Sequence, residues 1–263
     1  MSFETIKYEI NEGIATLTFN RPDVFNSLNE QMHAELKTAF KNIKKDKSIR
    51  VLIITGEGKA FCAGQDLNDR SVNDGDAKLD LGESIERKYN PLIKTIYGLE
   101  MPVICKVNGV AAGAGVGIAL ACDFVIANEK ASFIQAFCKI GLVPDSGNSF
   151  FLPQLVGMAR AKELCMLGDK LSAQTAQEYG LISKVYSLDT IDEEVQKLAQ
   201  HFSTAPTYGL SLIKKALNES VENSLEEQLE LEKNLQRAAG HSNDYKEGVA
   251  AFLNKRAPKF QGN

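Results

Sequence analysis

The chain has 263 residues, 44% of them hydrophobic, with 30 basic and 34 acidic side chains and a net charge of −4. That length and apolar share suffice for one large core, and the even mixing of charge excludes a basic nucleic-acid face and an acidic disordered tail. Five cysteines without a CxxC pair argue for free thiols in a reducing compartment. The N-terminal residues form no apolar targeting stretch, and no apolar run approaches the roughly 18 residues that span a bilayer, so a soluble cytoplasmic protein is expected.

In chain order, residues 5–10 and 14–19 read as strands, with Gly13 in the turn between them. A helix follows at about 29–46, where Met32, Leu36, Phe40 and Ile43 form an apolar stripe and Ser27 with Glu30 resembles a capping box. His33 is expected on the surface of that helix. Residues 51–54 are apolar without interruption, the pattern of a strand covered on both faces. Residues 56–67 read as a turn-rich link. Residues 68–82 are polar and rich in Asp and Gly, as in a mobile segment or one that covers a site. A helix at about 83–98 carries Pro91 inside it. Then come a strand at 103–107, a Gly/Ala-rich helix at about 112–122 and a strand at 124–127.

This strand–helix rhythm argues for an α/β fold with buried strands. Beyond about residue 190 the pattern is helical, over 191–202, 207–219 and 225–239, with a second capping box at Ser224 and Glu227. The expected organisation is an α/β core over 1–200, which holds the site, and a helical region over 201–263 that makes an oligomer contact or closes the site.

Three segments carry chemistry. The first, 61–67 (Phe-Cys-Ala-Gly-Gln-Asp-Leu), follows a buried strand, where ligands gather in α/β folds. Gly64 lets backbone approach a ligand, and the Ala63 N–H is a candidate donor to an oxygen; alternatively the segment is only a turn. The second, 108–117, joins a strand to a helix through Gly113, Gly115 and Gly117. It lacks the ending of a phosphate loop and the spacing of a dinucleotide fingerprint. Its amides can stabilise a developing negative charge, or its small residues can serve tight packing. The third, 141–147 (Gly-Leu-Val-Pro-Asp-Ser-Gly), contains Asp145. That carboxylate is either the N-cap of a helix near Ser146 or a general acid/base whose pKa apolar neighbours raise. No metal-ligand spacing is present, and the three histidines have no nucleophile partner. Lys255, Arg256 and Lys259 cluster at the tail, either to bind a phosphate or as a solvated end.

These segments, in this order, resemble the enoyl-CoA hydratase/isomerase family, the crotonase fold. The resemblance runs from 14–22 (Ile-Ala-Thr-Leu-Thr-Phe-Asn-Arg-Pro) and 26–28, through 60–67, 102–109 and Cys122-Asp123, to 248–256. It implies a spiral of strand–strand–helix repeats with a helical C-terminal extension. It also implies an acyl-CoA thioester substrate held by two backbone N–H groups as its oxygen becomes enolate. By match those donors are Ala63 and Ala114, with an offset of the second to Gly113 or Gly115 left open.

The resemblance further implies CoA or substrate contacts from Phe61, Gly64, Gln65, Asp66, Leu67, Gly113 and Phe137. Phe252 and Lys255 would reach CoA from a neighbouring subunit of a homotrimer or a dimer of trimers. No cofactor is implied, since coenzyme A is part of the substrate, and neither nucleic acid nor membrane is an expected partner. Family hydratases carry two glutamates; the matching positions here hold Gly117 and Phe137. An Asp at the position of Asp145 occurs in family isomerases, so Asp145 is expected to shuttle a proton in an isomerisation. The acyl group would carry an aromatic-ring epoxide or a straight 3-enoyl chain. A non-catalytic acyl-CoA-binding protein is the alternative of a different class.

Overall fold

A computed structural model describes residues 3–69 and 80–263. Most of the segment expected to be mobile or to cover a site, from 70 to 79, therefore lies outside the described residues. The chain begins with a hairpin, β1 (Ile6–Asn11) and β2 (Ile14–Phe19), and the helix α1 (Glu30–Lys45). Asn29 caps α1, accepting from Met32 N at 2.9 Å, so the capping box expected from Ser27 and Glu30 is replaced by a cap two residues later. His33 lies on the buried face of α1, its ring 4.7 Å from that of Tyr89, and not on the surface.

The rest of the core is a repeat in which each passage of the chain supplies one strand to each of two sheets. β3 (Val51–Gly56) is followed by β4 (Ala60–Cys62), β5 (Val103–Val107) by β6 (Val110–Ala112), and β7 (Phe124–Asn128) by β8 (Ser132–Ile134). The six-stranded sheet runs β1-β2-β3-β5-β7-β10, with β10 at Lys184–Tyr186, and all its pairs but β1–β2 are parallel. The four-stranded sheet runs β4-β6-β8-β9, with β9 at Lys170–Ser172. Successive passages therefore stack as a spiral, and asparagines hold its corners. Asn26 donates to Glu57 O and Ala60 O, Asn108 to Gly58 O and Ala60 O, and Asn128 to Asn108 O. These bonds satisfy backbone carbonyls where the chain passes from one sheet to the other.

The uninterrupted apolar run of β3 reflects two cores. Leu52 and Ile54 point into the main core between the sheets, where Leu17, Phe61 and Val116 also lie. Val51 and Ile53, with Ile104 and Ile126, face Ile191, Val195, Ala199 and Phe202 of α7 (Ile191–Ser203). The helix expected at 83–98 forms as α2 (Leu81–Ser84), a π-turn at Ile85–Tyr89 and α3 (Asn90–Tyr97). Pro91 falls in the first turn of α3, and the widened turn before it accommodates the lost N–H.

Six more helices complete the described core and tail, the first four being α4 (Ala114–Leu120), α5 (Asn148–Leu167, interrupted at Gly157), α6 (Ala173–Glu178) and α8 (Thr207–Glu219). α8 is tied to the sheet by Lys214, whose Nζ lies 2.9 Å from Asp123 Oδ2. α9 (Leu225–Gly240) opens with the expected Ser224–Glu227 capping box, and α10 (Asn243–Leu253) packs against it. Among the described residues no helix is long and apolar enough to cross a membrane.

All five cysteines are free; Cys62, Cys105 and Cys122 are buried, and burial pushes the Cys62 thiol up to about 12 against the opposing Gly64 N–H. Titration of the native protein with a thiol reagent at pH 8 should therefore reveal no more than the two half-buried thiols, Cys138 and Cys165, and all five after denaturation. Rapid native labelling of Cys62 would contradict the packing of β4.

Candidate active site

The first turn, 63–66, is held in place by the segment after β2. Leu28 N donates to Gly64 O at 2.7 Å, and Asp66 N donates to Leu28 O at 3.0 Å. In this parallel bridge both bonds belong to Leu28, so the N–H of Gln65 turns to the opposite side of the strand. The turn also approaches β6 and the start of α4: a Cβ on Gly64 would lie 2.9 Å from Ala112 O and 3.3 Å from Ala114 N. The two small-residue turns thus touch.

The Ala63 amide, expected to be a donor to substrate, is already bonded, since it donates to Phe25 O at 3.0 Å. Gly64 N–H is turned to the Cys62 sulfur. Ala114, by contrast, is the first residue of α4, so no carbonyl one turn earlier bonds its N–H. Gly113 before it has φ 53° and ψ −121°, a conformation in which only glycine is at ease, and its own N–H donates to Ile134 O at 3.0 Å.

Several other residues of the first turn serve the fold and are not exposed to a ligand. Phe61 is fully buried, its ring centroid 5.4 Å from that of Phe19, so its side chain packs in the core. The Asp66 carboxylate is buried against Arg21 at 2.8 Å. Burial pushes its pKa up, but the Arg21 bond and charge, the Asn68 N–H and Ser27 outweigh this and hold it below the ordinary value. That side chain anchors the turn. Gln65 Nε2 donates to Leu28 O and Asp66 O, and its Oε1 accepts from Tyr89 Oη at 2.5 Å. Leu67 is exposed at the rim.

The Asp145 turn rests on α4. A Cβ on Gly117 would collide with Ser146 O and lie 2.9 Å from Ser146 Cβ and 3.0 Å from Asn148 Nδ2. Residue 117 is therefore a glycine because the turn that carries Asp145 fills the space of a side chain. Asp145 does not cap the next helix: α5 starts at Asn148 with Gly147 as N-cap and no side-chain cap bond. Instead Asp145 Oδ1 accepts from Ser146 Oγ at 2.9 Å. The side chain is half-buried. Phe137, in the turn Ala136–Ile140, is buried, and its ring comes within 3.7 Å of where a Cβ on Gly113 would stand. Gly113, Ala114, Gly117, Phe137 and Asp145 are thus brought into one place, beside the Gly64–Gln65 turn.

Two expected contacts lie elsewhere. Phe252, on α10, is 83% exposed, and Lys255 follows that helix, also exposed. Arg256 binds Glu247 through two bonds, at 2.6 and 2.9 Å, and so fixes the tail. The residues the sequence did not single out are Gln135 and Asn148, both buried. Gln135 Nε2 donates to Asn148 Oδ1 at 2.8 Å, and Asn148 Nδ2 donates to Gly113 O at 3.2 Å and Asp145 O at 2.8 Å. The available signal was a polar side chain placed directly after a glycine turn at the start of an apolar helix. Among the described residues no group of three or more His, Cys, Asp or Glu is placed to hold a metal.

Residues 9–263 match the model of the family described as Enoyl-CoA hydratase/isomerase. The chain is 51% identical over 259 residues to the 1,2-epoxyphenylacetyl-CoA isomerase of Escherichia coli (strain K12), covering 98% of this chain and 99% of that protein. It is 36% identical to the trans-2-decenoyl-[acyl-carrier-protein] isomerase of Streptococcus mutans, over 100% of both chains. Among solved structures, an enoyl-CoA hydratase from Bacillus anthracis superposes with a TM-score of 0.91 at 32% identity, over 99% of this chain and 100% of that one. The spiral of paired strands and these likenesses are those of a chain that belongs to the enoyl-CoA hydratase/isomerase family and is an isomerase within it.

Proposed function

We propose that this protein isomerises an acyl-CoA thioester, converting 1,2-epoxyphenylacetyl-CoA to the ring-expanded oxepin thioester in phenylacetate degradation in the cytoplasm. The observation that carries the reading is the seat of the Asp145 turn on Gly117. One carboxylate approaches the amide turns, and the space of a second is filled by Ser146. The likeness to the Escherichia coli isomerase supports the choice of substrate.

The thioester oxygen accepts from two amides. Ala114 supplies one from the start of α4. The other is reassigned from Ala63, whose N–H is bonded to Phe25 O, to Gln65, whose N–H points away from the Leu28 bridge in the turn that touches the start of α4. Each such donor is worth about 3 kcal/mol to an enolate-like transition state. Asp145 takes a proton from the carbon next to the thioester carbonyl. The electron pair moves into the thioester, the epoxide and ring rearrange, and the proton returns at another carbon. No atom enters or leaves, so no cofactor is required. The Phe137 ring, packed against Gly113, covers the side of the pocket where a water-activating carboxylate would stand.

A second reading keeps these residues and moves a straight-chain 3-enoyl double bond to the 2-position. The likeness to the Streptococcus mutans isomerase favours it. Assays of the ring epoxide and a 3-enoyl-CoA side by side separate the two by the ratio of kcat/KM.

Asp145→Asn should lower kcat by about 10²- to 10⁴-fold with an unchanged circular-dichroism spectrum. Turnover within about threefold of wild type would remove Asp145 from the reaction. Gly117→Glu should not create a hydratase: the new side chain meets Ser146 O, so the melting temperature and isomerase activity should both fall, and product analysis should show no hydroxyacyl-CoA. A variant with wild-type stability that hydrates an enoyl-CoA would contradict this packing.

The helices α8, α9 and α10 leave Ile213, Leu217, Leu225, Leu229, Phe252 and Leu253 exposed, which suits assembly into a homotrimer or a dimer of trimers. Phe252 and Lys255 would then reach CoA bound to a neighbouring copy. Light scattering should give three or six times the chain mass of 28.8 kDa, and a monomer at micromolar concentration would count against it.

A further inference from the structure

Asn148 is fully buried between the two backbone segments that hold the chemistry. Its Oδ1 accepts from Gln135 Nε2, so its Nδ2 faces away, toward Gly113 O and Asp145 O. The Asn148 backbone N–H also donates to Asp145 O, at 3.0 Å. Gly113 O and Ala114 N–H are the two ends of one planar peptide unit, so a bond that fixes the oxygen fixes the direction of the N–H. Gly113 O also accepts from Val116 N at 3.1 Å and Gly117 N at 3.4 Å, so the first turn of α4 holds this peptide from the helix side and Asn148 Nδ2 is the side-chain donor that adds to that hold. A donor on the carbonyl also strengthens the N–H at the far end as a donor.

Among the described residues, Gln135 Oε1 has no partner within the protein, so Gln135 is bound through the same nitrogen that orients Asn148. The chain of bonds therefore runs Gln135, Asn148, then both the Ala114 peptide and the Asp145 turn. From this bonding we propose that Asn148 is a positioning residue. It locks the amide that receives the thioester oxygen and the turn that carries the proton acceptor into one fixed relation. The proposal rests on the isomerase reading given above.

The test uses the full-length protein and phenylacetyl-CoA, labelled with carbon-13 at the thioester carbon, as an unreactive probe. In wild type the bound carbonyl band should lie below its position in water by infrared difference spectroscopy. In Asn148→Ala the band should move back toward the free position and kcat on the substrate should fall about 10- to 100-fold, while the Kd of free coenzyme A stays within about twofold. Gln135→Met keeps Asn148 but frees its amide to turn. It should shift the band and kcat in the same direction by a smaller amount, and it decides the matter if Asn148→Ala does not fold. An unmoved band overturns the proposal, whether or not kcat falls, because a merely structural residue would lower activity without changing carbonyl polarisation. The isomerase reading itself fails in a different way, through a wild-type carbonyl band at its free position together with an Asp145→Asn variant as active as wild type.

Discussion

The contact between Gly117 and Ser146 governs the arrangement of the site. Backbone from the turn after Pro144 lies where a side chain at 117 would be, and this brings Asp145 against the helix that starts at Ala114. A single absent Cβ thus does two things. It removes one position from which a carboxylate could activate water, and it lets a different carboxylate approach from the neighbouring turn. Interiors are packed too closely for both to coexist, so the choice between acids is steric before it is electrostatic.

The spiral supplies the frame for that contact. Because each passage of the chain gives one strand to each sheet, the ends of β4 and β6 are neighbours, and so are the turns that follow them. The Arg21–Asp66 ion pair and the Leu28 bridge hold the first turn; Gln135 and Asn148 hold the second against the Asp145 segment. The polar groups in this region are in part buried, where an unmade bond is costly, so most of them are committed to one another and the reactive groups stand in a rigid setting.

Much of this was legible in the sequence, for physical reasons that differ by element. β3 announced itself because a strand covered on both faces has no polar positions, and α1 because its stripe repeats at helical spacing. The four-stranded sheet was not visible. Its three-residue strands are too short to show alternation, and β4 and β6 lie in segments that read as links between larger elements. The three segments that make up the candidate site stood out in the sequence, and the fold brings Asp145, Ala114 and Gly113 together. The partners of Ala63, Phe61 and Asp66 were not legible, since the direction of an amide or the packing of a buried side chain depends on residues distant in sequence: Phe25, Phe19 and Arg21. Asn148 was not singled out, because its bonds to Gly113 and Asp145 appear only when the spiral closes.

The central claim is that one carboxylate moves a proton within a bound acyl-CoA and that water takes no part. Turnover in oxygen-18 water, followed by mass spectrometry of the acyl product, tests it most directly. The account predicts a product of unchanged mass at the acyl group after many turnovers. Incorporation of one labelled oxygen per turnover would contradict it.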